Sequence, residues 1–378
     1  MGVTSLARPS MGAAVAPMPH KATTPKKVDI FATRIMTLSL SAAGDVTSLG
    51  HHLGPISAKT HKWFPTIEYL MKHECNMTKI FFCTSGNFIA DTRYQRGAAA
   101  ATDGDHAEAA DMFAQTLEIA PGFAAAAFAL AVAREKLGLE AGAAYALALA
   151  LDPADELGAA LHLARLGLRP TPQAAPQAYV ARLFDAYAGR FDGHLSHTLA
   201  YRAPQVLAAL VGERRFAAVL DLGCGTGLAG ELFKIRCDRL AGVDLSPGMI
   251  AVARHKQLYD RLVVADLLAF LGGEPRASAS LIIAADVFVY IGDLWAIFAQ
   301  CARVLQPGGL MAFTLQKGEA GFSIGADLRY THGAAHIADL AIKAGLRVEK
   351  STDVSTRKDR GHDVPGLAFV LAKPHLQG

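Results

Sequence analysis

A chain of 378 residues, 52% hydrophobic and 19% charged, is long enough for two domains and apolar enough to bury a sizeable core. Its net charge of +3 is not the strongly basic footprint of a nucleic-acid binder, and no apolar run reaches the roughly 18–20 residues that a membrane-spanning helix needs. The five cysteines, Cys75, Cys83, Cys224, Cys237 and Cys301, form no C-x-x-C pair, which points to a reducing, cytoplasmic compartment and to neither a disulfide frame nor a metal site.

Residues 1–76 carry eight Lys/Arg against four Asp/Glu, so the rest of the chain is nearly neutral. This stretch shows no sustained periodicity. Its basic, acid-poor start fits a transit peptide, its composition fits an unordered tail, and Met77 fits a true start with 1–76 an over-extension. His51, His52, His61 and His73 lack metal-ligand spacing. The expectation is that residues 1–91 are unordered and add nothing to a packed core.

Residues 92–168 are rich in Ala and Leu with regular polar breaks, and read as helices. A weak internal repeat runs through them. Ala109, Phe113, Thr116 and Pro121 have the spacing of Ala141, Tyr145, Ala148 and Pro153. That pattern resembles the second helix of a tetratricopeptide repeat, although the period is short and only two units are visible. The resemblance implies a concave surface for a protein partner; an ordinary alanine-rich hairpin packed on the next domain is the other reading. Pro170, Pro172 and Pro176 then mark a stiff linker over 169–177.

From residue 178 the pattern changes. A helix is expected over Ala178–Asp192, and another over Ala203–Val211. The apolar run Phe216–Leu220 then ends in Asp221-Leu-Gly-Cys-Gly-Thr-Gly227 and opens onto a helical segment, Leu228–Ile235. A strand turning into a helix through Gly223, Gly225 and Gly227 is a cradle for a nucleotide-like cofactor. Glycine tolerates φ > 0 and leaves no Cβ in a ligand's way, and the following helix start offers free N–H groups. Asp244 ends the next strand about 20 residues later, where a ribose-binding carboxylate belongs. Alternating strands and helices point to a doubly wound, mostly parallel sheet. The last two strands, Arg347–Thr352 and Gly366–Ala372, have no helix between them and should pair antiparallel.

The loop reads G-x-G-x-G, not the G-x-G-x-x-G of dinucleotide enzymes. With Gly242-Val-Asp-Leu-Ser-Pro-Gly-Met249, Val264-Ala-Asp-Leu267, Leu281–Asp286 and Leu305-Gln-Pro-Gly-Gly-Leu310, in that order, residues 178–378 resemble class I S-adenosylmethionine (SAM) methyltransferases. The resemblance implies a seven-stranded sheet with an antiparallel last strand, an α/β fold following the small all-α region. It implies that Asp221 organises the amino-acid end of SAM and that Asp244 accepts from the ribose hydroxyls. Leu245 and Met249 would pack on the adenine, and Asp266 with the Leu267 N–H would bind its edge; for each of these three aspartates a helix N-cap or strand-end turn is the other reading. Tyr187 is the candidate lid aromatic, although Leu183, Tyr187 and Phe191 equally fit a core stripe. Arg202 is a candidate for the SAM carboxylate; a surface arginine is the other reading.

Methyl transfer asks for in-line positioning and exclusion of water, with a base only if the acceptor needs one. Asp286, Tyr290 and Asp293 follow strand four, at the sheet edge where ligands bind. Arg329, Tyr330 and His332 are expected on the same rim, with His332 as candidate base, an exposed polar loop histidine being the other reading, and Tyr290 as a second catalytic candidate. Ala-Asp-Val-Phe-Val-Tyr290 is not the Asn/Asp-Pro-Pro-Tyr motif of enzymes that methylate base or amide nitrogens, so a small-molecule acceptor is expected. No nucleic-acid or membrane partner is expected. A non-catalytic SAM-binding scaffold working through its helical repeats is the second reading.

Overall fold

The protein's structure, a computed structural model, describes residues 84–192, 201–359 and 361–375. The expectations for residues 1–76 lie outside these residues. Five helices come first: α1 (Phe88–Asp103), α2 (His106–Ile119), α3 (Ala124–Lys136), α4 (Gly142–Leu151) and α5 (Ala159–Arg165). The helical region starts at Phe88, not at 92, because Asn87 Oδ1 accepts from Ile89 N at 3.0 Å and Ala90 N at 3.2 Å. Those bonds satisfy two of the free donors of the first turn. Each helix packs on the next. The core is built on Tyr94, Phe113, Phe128 and Tyr145, filled in by alanines. Ala109, Phe113 and Thr116 are buried, and so are Ala141, Tyr145 and Ala148 at the matching spacing. Glu135 ties α3 to α4 and α5. It accepts from Tyr145 OH at 3.0 Å and Arg165 Nη2 at 2.5 Å, and hydrogen bonding led by His162 pulls its carboxyl down to about 2.

The proline-rich linker is not a free spacer. Gln173 O accepts from Gly292 N at 2.8 Å and Asp293 N at 2.9 Å, Ala175 N donates to Tyr290 O at 2.9 Å, and Ala174 bridges Ile291 antiparallel. Proline cannot continue a helix, and the extended backbone it leaves pairs with the segment after β4.

The helix expected over 178–192 is shorter. It forms α6 (Gln177–Asp185) and then a 3₁₀ turn, Ala188–Arg190. The break leaves Asp185 to accept from Gly248 N at 2.9 Å. After α7 (Ala203–Val211) come β1 (Phe216–Leu222), α8 (Leu228–Phe233), β2 (Cys237–Asp244), α9 (Pro247–His255), β3 (Arg261–Val264), α10 (Leu267–Gly273) and β4 (Ala279–Ala284). Then follow α11 (Trp295–Val304), β5 (Leu305–Gly318), β6 (Phe322–Ile324), β7 (Tyr330–Gly333), α12 (Ala334–Lys343) and β8 (Arg347–Val354). The chain ends in the small hairpin β9 (Lys358–Asp359) and β10 (His362–Asp363), and β11 (Gly366–Ala372).

The main path of the sheet is β3-β2-β1-β4-β5-β11-β8. Strands β1 to β5 pair parallel, and β11 runs antiparallel between β5 and β8. The sheet is thus mostly parallel with an antiparallel β11, as the resemblance implies. The extra strand β7 adds to β5, and β6 pairs with β7. Strands buried on both faces read as continuous apolar runs, and all six residues of β4 are buried. One face packs on α10, α11 and α12 through Phe270, Phe298 and Ile337. The other packs on α7 and α8 through Leu207 and Phe233. Strand order reverses between β1 and β4, and such a switch point opens a crevice at the strands' C-terminal ends. Among the described residues no helix is long and apolar enough to cross a membrane.

Candidate active site

A cavity of about 370 Å³ opens at that switch point. Its floor is the turn after β1. Gly223 and Gly225 have φ of 64° and 54°, and both line the cavity. A Cβ on Gly223 would lie 2.5 Å from Val287 Cγ2, whereas one on Gly225 would meet only Phe191 Cε1, at 3.9 Å. The first glycine is therefore required by packing and the second leaves open space above the backbone. Gly227 is not on the wall. Its φ of 92° and the Tyr259 ring, 3.1 Å from an added Cβ, make it the hinge that starts α8.

Asp244 lines the cavity at the end of β2. Its Oδ2 accepts from Gly225 N and its Oδ1 from Ser246 N, both at 2.9 Å. The carboxylate thus ties the glycine loop to the next turn, and each oxygen keeps a further lone pair for a ligand hydroxyl. Burial raises its pKa, opposed by those two donors. Asp221 is 1% exposed and also reaches the wall. Burial lifts its carboxyl to about 7, against the bond from Tyr259 OH at 2.6 Å and with repulsion from Asp244 added. Asp266 serves two ends. Oδ1 caps α10 through Ala269 N at 2.7 Å, and Oδ2 accepts from Gln177 Nε2 at 2.9 Å. Leu245 and Leu267 line the same side.

Asp286 follows β4 with φ of 57°, a conformation that costs an L residue roughly 1–2 kcal/mol. A network holds it there. Thr314 Oγ1 donates to its Oδ1 at 2.9 Å, Thr356 Oγ1 at 3.1 Å, and Arg357 Nη1 reaches Oδ2 at 3.1 Å. Tyr290 lines the cavity with its ring 5.5 Å from that of Phe184. Burial raises its phenol pKa, so it stays protonated near neutrality. Arg329 and Asp293 are on the wall too.

Five other expected residues are placed elsewhere. Tyr187 is buried in a cluster with Tyr179 and Met249; Phe184, Phe191 and Tyr201 line the cavity, as do Tyr290 and Trp295. Met249 is fully buried beneath the turn and does not reach the wall. Arg202 caps α7, and its Nε donates to Ser355 O at 2.7 Å on the surface. Tyr330 is core, its OH donating to Pro172 O at 2.9 Å. His332 is fully buried in β7, with Nε2 3.1 Å from Gly292 O and no partner for Nδ1. Burial depresses its pKa to about 4. It is not brought to the cavity, so the role of base is withdrawn.

The buried His332 makes a stability prediction. Its folded pKa lies below the ordinary 6.5, so the neutral ring's contribution is full above pH 6.5. It is lost as pH falls from 6.5 towards 4, because only the unfolded state takes the proton there. The loss amounts to about 3 kcal/mol at pH 4. Asp221 acts with the opposite sign, its raised pKa favouring the folded state at low pH. The expected result is therefore in the comparison. Urea unfolding at pH 7 and pH 4.5 should show a smaller acid loss for His332→Gln than for the unchanged protein, and equal losses would contradict the burial of an unpaired Nδ1.

Spacing did not reveal Gln177, Phe184, Phe191, Tyr201, Cys224, Thr226 or Arg357, all on the wall. Among the described residues no group of three or more His, Cys, Asp or Glu is placed to hold a metal ion. The wall fits a nucleoside-bearing cofactor: an open glycine backbone, a carboxylate with spare lone pairs beside it, and apolar Leu245 and Leu267 next along the rim.

Residues 220–313 match the family model described as a methyltransferase domain. The malonyl-[acyl-carrier protein] O-methyltransferase of Hahella chejuensis is 31% identical over 191 residues, which are 47% of this chain and 66% of that protein. Methyltransferase-like protein 27 of Homo sapiens is 33% identical over 174 residues, 43% of this chain and 66% of its own. The chain spans between about half and just under two thirds of the curated relatives it matches. Among solved structures, Burkholderia thailandensis 1,6-didemethyltoxoflavin-N1-methyltransferase, solved with S-adenosylhomocysteine, aligns with a TM-score of 0.42 at 20% identity, over 55% of this chain and 93% of that one. The glycine loop, Asp244, Asp266 and the turn after β4 all fall inside residues 220–313, the stretch that matches the methyltransferase domain.

Proposed function

We propose that the whole protein transfers a methyl group from SAM to a small-molecule acceptor, with oxygen as the accepting atom. The observation that carries this reading is Asp244, which holds the glycine loop by one oxygen and faces the cavity. When bound, SAM supplies a methyl group on a positive sulfonium. The chain's own residues position and exclude. Asp244 accepts from the ribose, Asp266 and Leu267 flank the base, and Asp221 lies beneath the loop. Phe184, Phe191 and Tyr201 keep water from the transfer path, which raises the value of in-line alignment. Relatives named malonyl-[acyl-carrier protein] O-methyltransferase and ubiquinone biosynthesis O-methyltransferase support the choice of oxygen.

Calorimetry should find S-adenosylhomocysteine binding and no NAD binding. Labelled SAM with the protein and a cell extract should then place label in small molecules. NAD binding in place of S-adenosylhomocysteine would overturn the reading, and label confined to proteins would move the acceptor to a macromolecule.

The division into a tetratricopeptide-like module over 92–168, a linker over 169–177 and a catalytic domain over 178–378 is part of the same proposal. Its support is the shared burial of the repeat positions in α2 and α4. That module is the candidate surface for a protein partner. The free, buried Cys224, Cys237 and Cys301 suit a cytoplasmic protein.

A further inference from the structure

Tyr259 lies behind the turn after β1, in the segment that joins α9 to β3, and it is not on the cavity wall. The residue after it anchors that segment. Asp260 N donates to Leu240 O at 2.8 Å, its Oδ2 accepts from Leu240 N at 2.7 Å, and the same carboxylate pairs with Lys234 Nζ at 3.0 Å. The Tyr259 ring therefore enters at a fixed place, and the niche it fills is built of glycines. A Cβ on Gly230 of α8 would lie 2.5 Å from the Tyr259 hydroxyl and 2.6 Å from Cζ. One on Gly242 of β2 would lie 2.9 Å from Cε1, and one on Gly227 would lie 3.1 Å from Cε2. Glycine is unfavourable inside a helix and weakens a strand interior. Local propensity thus argues against Gly230 and Gly242, and the ring is what both make room for.

The ring delivers its hydroxyl to one acceptor. Tyr259 OH donates to Asp221 Oδ2 at 2.6 Å, the short range of an O–H bond to a carboxylate. Gly242 is the register partner of Asp221 across the β1–β2 pair, so its missing side chain opens the route by which the phenol arrives. Asp221, unlike Tyr259, lines the cavity. A carboxylate offers about four lone-pair sites on its two oxygens. One bond from behind fixes the group's orientation and leaves acceptors for a ligand in front. Burial lifts the Asp221 carboxyl to about 7, and the Tyr259 bond opposes that rise, which favours the charged form.

We propose that Tyr259 is a positioning residue for the cofactor, holding the Asp221 carboxylate towards the amino-acid end of SAM without touching SAM itself. The ammonium of that end is a cation with N–H donors, and a fixed carboxylate is its complement. Orientation that Asp221 takes from Tyr259 beforehand is not lost again on binding. The inference rests on the methyltransferase reading of the cavity and adds a residue that acts on the cofactor from outside it.

The test uses the full chain and two probes, S-adenosylhomocysteine and 5′-methylthioadenosine, which share the nucleoside and the sulfur and differ in the amino-acid end. Calorimetric titration should find the unchanged protein binding the first at least about tenfold tighter. Tyr259→Phe keeps the ring and removes the donor. It should weaken S-adenosylhomocysteine at least about fivefold and leave 5′-methylthioadenosine within about twofold. A tyrosine that served packing alone would not separate the two probes. Gly230→Ala, which helix propensity by itself favours, should push the hydroxyl off Asp221 and give the same selective loss. It decides the matter if Tyr259→Phe fails to fold, with thermal unfolding as the check on both. Equal losses on the two probes, or no loss, would overturn the proposal, as would an unchanged protein that does not discriminate between them. An unchanged protein that binds neither probe would strike the methyltransferase reading and the proposal with it.

Discussion

Asp244→Ala is expected to weaken S-adenosylhomocysteine binding by about 1–3 kcal/mol, roughly 5- to 140-fold, the scale of a lost hydrogen bond to a charged group. The carboxylate does two things at once. It offers acceptors to the cavity, and it holds Gly225 N and Ser246 N at 2.9 Å each. Alanine removes the ligand contact and leaves two backbone donors to find water. Asp244→Asn separates the two effects, because the amide keeps one acceptor oxygen and can hold one of those N–H groups but not both. Its loss should therefore fall between zero and that of alanine. Calorimetry on the three proteins, with thermal unfolding as the control for folding, decides the matter. Affinity unchanged in the alanine variant would move the ribose site away from the end of β2.

What was legible in the sequence was what a local pattern can carry. Gly223, Gly225, Asp244 and Asp266 stand at strand ends, and a strand end after an apolar run is visible in one dimension. The antiparallel pairing of β8 with β11 followed from the missing helix between them. What failed did so because tertiary packing chose between equivalent positions. Tyr187 and Phe191 share a helical stripe on paper, but α6 stops at Asp185 and the following 3₁₀ turn changes the phase. Phe184 and Phe191 then face the cavity while Tyr187 joins the core. Gly227 belongs to the same glycine run as Gly223, yet only its φ and the Tyr259 ring reveal that it shapes the turn and not the wall.

Arg357 and His332 mark the two directions of error. Arg357 reaches Asp286 across 71 positions of sequence, from a stretch that reads as a polar loop. No spacing links them, and the pairing exists only because β11 folds the chain back between β5 and β8. His332 sits two residues from Tyr330 in a segment expected on the rim. The short β6–β7 pair instead places both side chains inward, with Tyr330 OH on Pro172 O and His332 Nε2 against Gly292 O. The linker that supplies Pro172 also supplies Gln173 and Ala175 to the cavity wall. Proline and alanine there read as a spacer because their pairing partners, Tyr290 to Asp293, are more than a hundred residues away.

Gly223→Ala should damage both the stability of the domain and the cavity floor. Two costs add. An L residue at φ of 64° is strained by roughly 1–2 kcal/mol. The new Cβ would also lie 2.5 Å from Val287 Cγ2, 2.9 Å from Cγ1 and 3.3 Å from Cβ, and such overpacking costs typically ~1–3 kcal/mol. Val287 cannot simply swing away, since it opens the 3₁₀ turn Phe288–Tyr290 beneath the cavity. Relief requires the glycine loop or that turn to shift, and both line the site. The variant should lose about 2–5 kcal/mol of stability and bind S-adenosylhomocysteine at least tenfold more weakly. The two costs can be told apart. Val287→Ala deletes the two Cγ atoms and leaves the backbone strain untouched. In Gly223→Ala the added Val287→Ala should therefore recover part of the loss, giving a favourable coupling of about 1–3 kcal/mol in a double-mutant cycle. Val287→Ala alone should only destabilise, by the packing it removes. Urea unfolding of the four proteins measures the coupling. Strictly additive losses would mean that the turn after β1 and the turn after β4 do not touch through this pair, and the shape of the cavity floor would have to be redrawn.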